Sequence, residues 1–239
     1  MGREQYQSQQ YWDERYQSPD GYHEWYFSFE TIEPLFSEHV TSRDAMILEL
    51  GCGDAPLIVA MKGNGHNPAC LHAIDFSDTI IERLNNDQAL VPIPERVIFS
   101  VEDARSLSFR GNMFDVIIEK GTIDAMLCDK RKGFDNVKCI ILEVCRLMKT
   151  QVATAFIMVS HMQAESDEFA AFIEKSFLPA LDQLQSSNRW VIEAHTQESS
   201  ENTHAVVYII SSSPRRVTRS SLQPSPSVDI QIYSHAAVS

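Results

Sequence analysis

The chain is short of what a disulfide scaffold, a metal module or a membrane span requires. Its five cysteines, Cys52, Cys70, Cys128, Cys139 and Cys145, are odd in number and form no C-x-x-C pair. That pattern excludes a disulfide framework and points to reduced thiols. The eight histidines, His23, His39, His66, His72, His161, His195, His204 and His235, show no H-E-x-x-H spacing, so no metal is expected. No uninterrupted apolar run approaches the roughly eighteen residues of a membrane span. The opening MGREQYQSQQ lacks the apolar core of a signal peptide, and the expected compartment is the cytoplasm. Basic residues are also scarce: 20 Lys and Arg against 33 Asp and Glu leave a formal net charge of −13. This balance disfavours a surface that wraps nucleic acid and suits encounter with a basic protein. Neither G-x-x-x-x-G-K-[ST] nor G-x-S-x-G occurs, which argues against a P-loop NTPase and an α/β-hydrolase.

What is present is enough for one substantial core: 239 residues, 44% of them hydrophobic. Short apolar runs at 46–50, 70–75, 96–100, 114–119 and 152–160 read as strands. A further pair, 190–194 and 205–210, reads as a closing hairpin around a polar connection at 196–203. Helices are expected between them, near 31–39, 55–62, 78–88, 137–148 and 169–184. Ser77 is the N-cap of the third of these. Strands that alternate with helices predict an α/β fold, a doubly wound, mostly parallel seven-stranded sheet with a final antiparallel hairpin, all in one domain over 1–210. Residues 211–239 hold nine serines, three prolines and three arginines against one acid, and read as a disordered tail. The cluster Pro214-Arg215-Arg216 is read as part of that solvated tail. Without the tail, residues 1–210 carry a formal −15.

In such a sheet ligands lie beyond the carboxyl ends of the strands, near the reversal of strand order. Gly51, Asp75, Asp103 and Glu119 therefore stand out. The segment LELGCGDAPL, 48–57, ends a strand in a tight turn and opens a helix. Glycine at 51 and 53 permits close approach of a ligand. The dinucleotide fingerprint G-x-G-x-x-G has its third position taken by Pro56, which is acceptable in a first helical turn but prevents the close helix–strand contact of glycine. Asp75, twenty-two residues after Gly53, is placed to accept hydrogen bonds from both hydroxyls of a ribose. Spacing alone leaves a nucleoside ligand and a dinucleotide both open.

ELGCG, AIDFS, the SVEDA segment and FDVIIEKGTIDAM, in this order, resemble class I S-adenosylmethionine-dependent methyltransferases. YWDERY at 11–16, EWY at 24–26 and EKGTIDAM at 119–126 resemble, more narrowly, the translation elongation factor 1-alpha lysine methyltransferases. That family includes a free-standing enzyme similar to a segment fused onto some endothelin-converting enzyme products. It also includes the N-terminal half of a two-domain methyltransferase. The likeness runs from about residue 6 to 210. It implies S-adenosylmethionine as cofactor, no metal, and translation elongation factor 1-alpha as protein partner. It also implies roles. Trp12, Arg15 and Tyr16 fold over the cofactor, with Arg15 on the methionine carboxylate. Gly51 and Gly53 pass beneath the methionine and ribose. Asp75 takes the ribose hydroxyls, with Phe76 and Ser77 beside the adenine. Asp103 bonds the adenine amino group and Ala104 its ring. Glu119, Lys120 and Gly121 floor the sulfonium. Met148-Lys149-Thr150-Gln151 departs from the proline–glycine turn that relatives carry before the next strand.

Methyl transfer from a sulfonium is a direct displacement that needs alignment and a neutral amine. Glu119 and Asp124 are the expected carboxylates that guide an ammonium in, and Trp25 and Tyr26 the walls of its channel. His161 and Met162 follow the strand at 152–160 and are placed to line the cleft. Methylation of a small molecule or nucleic acid, a nicotinamide oxidoreductase and a catalytically silent cofactor-binding module are the alternatives.

Overall fold

The computed structural model describes residues 3–18, 24–150, 154–186, 188–198, 204–213 and 227–234. Val152 and Ala153, the polar connection at 199–203 and the cluster Pro214-Arg215-Arg216 lie outside them. Chain order is α1 (Gln9–Gln17), α2 (Phe29–His39), β1 (Ile47–Leu50), α3 (Leu57–Gly63), β2 (Leu71–Asp75), α4 (Asp78–Asp87), β3 (Ile98–Val101), β4 (Val116–Lys120), α5 (Thr122–Leu127) and α6 (Gly133–Leu147). Then follow β5 (Ala155–Ser160), α7 (Asp167–Phe172), α8 (Leu178–Gln183), β6 (Arg189–Glu198), β7 (His204–Ser213) and β8 (Ser227–Ser234).

The strands form one sheet in the order β3-β2-β1-β4-β5-β7-β6-β8. β3, β2, β1, β4 and β5 run parallel, and β7 joins β5 antiparallel and pairs with β6 as the expected hairpin. The order reverses between β1 and β4, where the chain leaves one half of the sheet for the other. Register then sets the site. Leu50 faces Ile74 of β2 and Glu119 of β4, so Gly51, Asp75 and Lys120 emerge level at one edge.

Side chains that alternate along the central strands divide the core. Leu48, Leu50 and Ile117 pack under α5, α6 and the α7–α8 region. Ile47, Val116 and Ile118 pack under α2, α3 and α4. Burial on both faces explains why these strands read as continuous apolar runs. Ser77 caps α4 as expected, its hydroxyl accepting the Ile80 N–H.

Two expectations change. The helix expected over 169–184 is interrupted by a wider π turn at Ile173–Phe177, just before Pro179, which has no N–H to continue the helical ladder. Among the described residues the sheet has eight strands, not seven. The eighth, β8, comes from the segment whose composition reads as disordered, and pairs parallel with β6 over 227–234. Its alternation is legible in hindsight: Val228 packs against the core, and Arg189 holds Asp229 at 2.7 Å.

Candidate functional site

A cavity of about 390 Å³ opens over the carboxyl ends of β1, β2 and β4. That is room for one nucleoside-sized ligand. Trp12, Tyr16, Gly51, Gly53, Asp75, Phe76, Asp103, Ala104, Lys120 and Asp124 all line it. Arg15, Ser77 and Glu119 do not.

Gly51 has φ +62°, and a Cβ there would meet the Thr122 hydroxyl at 2.2 Å. Glycine is thus required by both backbone and neighbour. Gly53 has φ +57° and presents its N–H to Asp75 Oδ2 at 3.0 Å. Asp75 Oδ1 accepts the Ser77 N–H at 2.9 Å. The carboxylate therefore braces the glycine turn and the start of α4 while facing the cavity. Burial pushes its pKa up to about 6, against the lowering effect of those N–H groups.

Beneath the turn lies Glu49, which sequence reasoning missed. It is buried on β1, and its two oxygens accept the N–H groups of Leu57 and Ile58 at 3.0 and 3.1 Å. Burial pushes its pKa up to about 8. An acid inside an apolar strand was the available signal, because such a group must find donors.

Helix α1 lies across the cavity as a cover. Gln9 donates to the Phe76 carbonyl at 2.8 Å, and the Ser77 hydroxyl donates to Asp13. Trp12 donates to the Tyr6 carbonyl at 2.6 Å and stacks on Tyr16. Arg15 lies beside the aromatic cover. Its guanidinium lies 5.9 Å from the Trp12 ring and 6.0 Å from the Trp25 ring. Those distances bring it within reach of a cation–π contact with the aromatic cover.

At the opposite wall Asp103 is bound by its near neighbour Arg105 at 2.6 Å, which holds its carboxyl below the usual range. Glu102 is engaged by the Ser108 N–H and hydroxyl. Lys120 is buried, pairs with Glu24 and reaches the Phe27 carbonyl at 3.3 Å. Burial pushes its pKa down to about 8.

Glu119 is buried and does not line the cavity. Gly121, with φ +78°, turns the chain so that the Ile123 N–H points back to Glu119 Oε2 at 3.0 Å. Burial and the nearby Asp124 push its pKa well up, and its Oε1 has no hydrogen-bond partner. Glu119 braces the start of α5 from behind the cavity floor, which corrects its expected position as a carboxylate that meets an incoming amine.

Asp124 is the carboxylate that does face the cavity. Its Oδ2 accepts the Tyr26 hydroxyl at 2.7 Å and the His161 N–H at 3.2 Å, and its Oδ1 accepts the Ser160 hydroxyl at 2.6 Å. Tyr26 adopts φ +62°, a strained backbone for a bulky residue, in making this contact. Tyr26, Trp25 and His161 line the cavity beside Asp124. Among the described residues no group of three or more His, Cys, Asp or Glu is arranged to hold a metal ion.

Residues 41–218 match the family model described as a methyltransferase domain. The chain belongs to the methyltransferase-domain family. The match begins after α2, so the aromatic cover lies outside it. EEF1A lysine methyltransferase 4 of Mus musculus is similar to this methyltransferase-family chain, with 31% identity over 153 residues, 60% of the chain and 58% of that protein. The eEF1A lysine and N-terminal methyltransferase of Bos taurus is 27% identical over 203 residues, 84% of the chain and 28% of that protein. The chain thus spans less than two thirds of the length of either relative. A SAM-dependent methyltransferase from Methanosarcina mazei, 18% identical, has the same fold with a TM-score of 0.53 over 76% of this chain and 97% of its own.

Proposed function

We propose that this chain is an S-adenosylmethionine-dependent methyltransferase that modifies a protein lysine, with translation elongation factor 1-alpha as its acceptor and the cytoplasm as its place of action. One observation carries the reading. The glycine turn braced by Asp75 and the Asp124–Tyr26 pair open onto the same cavity. A nucleoside-binding half and an amine-receiving half therefore meet.

The residues fit the cofactor. Gly51 and Gly53 leave a cradle that a Cβ would crowd, Asp75 offers carboxylate oxygens to a ribose, and Phe76 and Ala104 line the same cavity and would flank an adenine. Asp103 would share its oxygens between Arg105 and an adenine amino group. S-Adenosylmethionine, when bound, supplies a methyl group already activated on a sulfonium. The chain must then orient the amine, exclude water and hold its proton. The apolar walls from Trp12, Trp25 and Tyr16 favour the neutral amine by desolvation, and Asp124 accepts its proton.

The acceptor reading rests on the names of the two eEF1A-directed relatives and on the formal −15 of residues 1–210, which favours encounter with a basic protein. No helix among the described residues is long and apolar enough to cross a membrane. The test is mass spectrometry of the purified factor after incubation with protein and cofactor. A lysine heavier by one or more methylene units supports the reading. An unmodified factor beside a methylated small amine or nucleic acid overturns the acceptor.

A further inference from the structure

Asp124 does not stand alone at the cavity wall. His161, the first residue after β5, places Nδ1 3.2 Å from Asp124 Oδ1 and 3.5 Å from the Tyr26 hydroxyl. On the far side of the ring, Nε2 lies 3.4 Å from Glu168 Oε2 on α7. Exposure rises along this line: the side chains are 7% exposed at Asp124, 40% at His161 and 66% at Glu168. The line thus runs from the cavity to open solvent.

We propose that Asp124, His161 and Glu168 form a proton exit for the methyl acceptor. The inference rests on the amine-methyltransferase reading. A lysine ammonium has no lone pair, so one N–H bond must break before transfer. The ammonium proton passes to an Asp124 oxygen, and the electron pair of that N–H bond stays on nitrogen. Asp124 passes the proton to His161 Nδ1, and the Nε2 proton leaves to Glu168 and water. Asp124 returns to its starting state, the half-exposed imidazole regains its Nε2–H tautomer by exchanging its protons with solvent before the next turnover, and no oxidant or metal is needed. A carboxylate alone would hold the proton beside the amine, whereas an imidazole with one nitrogen inward and one outward moves it away.

The arrangement is held in place. The Tyr26 and Ser160 hydroxyls and the His161 N–H fix the Asp124 carboxylate, and the Met162 N–H in turn fixes Ser160. The titratable groups that face His161 are Tyr26 ahead of α2, Asp124 on α5 and Glu168 on α7. Behind Asp124 stand Glu119 on β4 and Tyr208 on β7. His161 and Glu168 act through Asp124 and are positioning residues; Asp124 is the group that meets the amine.

The test compares wild type, H161N and E168Q, each first shown to bind S-adenosylmethionine by calorimetry. H161N should lower kcat at pH 7 by at least about tenfold, with KM and cofactor affinity within about twofold. Raising the pH should narrow the gap, and added imidazole should restore part of the rate. E168Q, a surface change that spares the core, should lower kcat less and in the same pH-dependent way. Independently of turnover, NMR of labelled histidine in the free protein should show a lower His161 pKa in E168Q than in wild type. Overlapping pH–kcat profiles for wild type, H161N and E168Q, or a His161 titration unmoved by E168Q, overturn the relay and leave the transferase reading intact. Wild type that transfers no methyl to any protein amine overturns the transferase reading and the relay with it.

Discussion

The Thr122 hydroxyl donates to the Leu50 carbonyl at 2.9 Å and occupies the space that a side chain on Gly51 would need. One contact thus fastens α5, which carries Asp124, to the end of β1, which carries the glycine turn. The two halves of the cavity are coupled at this point. Gly51→Ala should lower the unfolding midpoint and weaken S-adenosylmethionine binding, because the left-handed backbone costs about 1–2 kcal/mol for any other residue and the clash adds to it. In a double-mutant cycle, G51A with T122A should cost less than the sum of the single changes. Strict additivity in urea titrations would show that the contact does not constrain the turn.

Asp75 serves the turn and the ligand together. Asp75→Ala should weaken cofactor binding at least about tenfold, since charge-assisted hydrogen bonds are worth roughly 1.5–3 kcal/mol each and 1.4 kcal/mol is one decade. With its pKa pushed up to about 6, the ionised carboxylate is lost as pH falls through that value. Wild-type affinity should fall with it. Titration calorimetry across pH 5–8 measures both effects, and a flat wild-type profile with unchanged D75A affinity would leave Asp75 only its bracing role.

Glu49 makes stability depend on pH in the opposite sense from a salt-bridged acid. Its folded pKa of about 8 lies above the ordinary value of 4.5, so the folded state holds the proton more tightly. Its contribution is most favourable below 4.5 and declines as pH rises to about 8. The difference in urea midpoint between E49Q and wild type should therefore shift toward E49Q across that window and level off above it. A difference that stays constant from pH 4.5 to 8 contradicts a buried, proton-holding Glu49.

Removing residues 227–239 should expose the edge of β6 and lower the thermal midpoint by at least about 2–4 °C, the shift that 1 kcal/mol produces in a chain of this size. Cofactor affinity should be unchanged, because β8 stands at the far end of the sheet from the β1–β4 switch point. Differential scanning calorimetry of the truncated chain decides it. An unaltered midpoint would mean that this strand adds nothing to the folded state.

Much of the architecture could be read from local pattern. Runs such as ILEL and VIIEK are apolar on both faces because helices cover both, and Ser77 announces its helix because a cap is a local hydrogen bond. The glycines at 51 and 53 and the acid at 75 are likewise short-range signals, since a tight turn and a strand end follow from neighbouring residues. Long-range pairing decided the rest. On β4 Lys120 lines the cavity and Glu119 does not, and only the register with β1 brings that strand end beside the glycine turn. The placing of Arg15 beside Trp12 and Trp25, and the Asp103–Arg105 ion pair at the cavity wall, are likewise contacts that no local pattern announces. Asp124, His161 and Glu168 lie on three elements up to 44 residues apart, and no periodicity connects them. The β8 strand was hidden for the same reason: its composition is that of a solvated tail, and its order comes from an open edge on β6 that exists only once the sheet has formed. Spacing along the chain reports what a residue's neighbours require of it, whereas proton paths, ion pairs and edge strands depend on distances that folding alone creates.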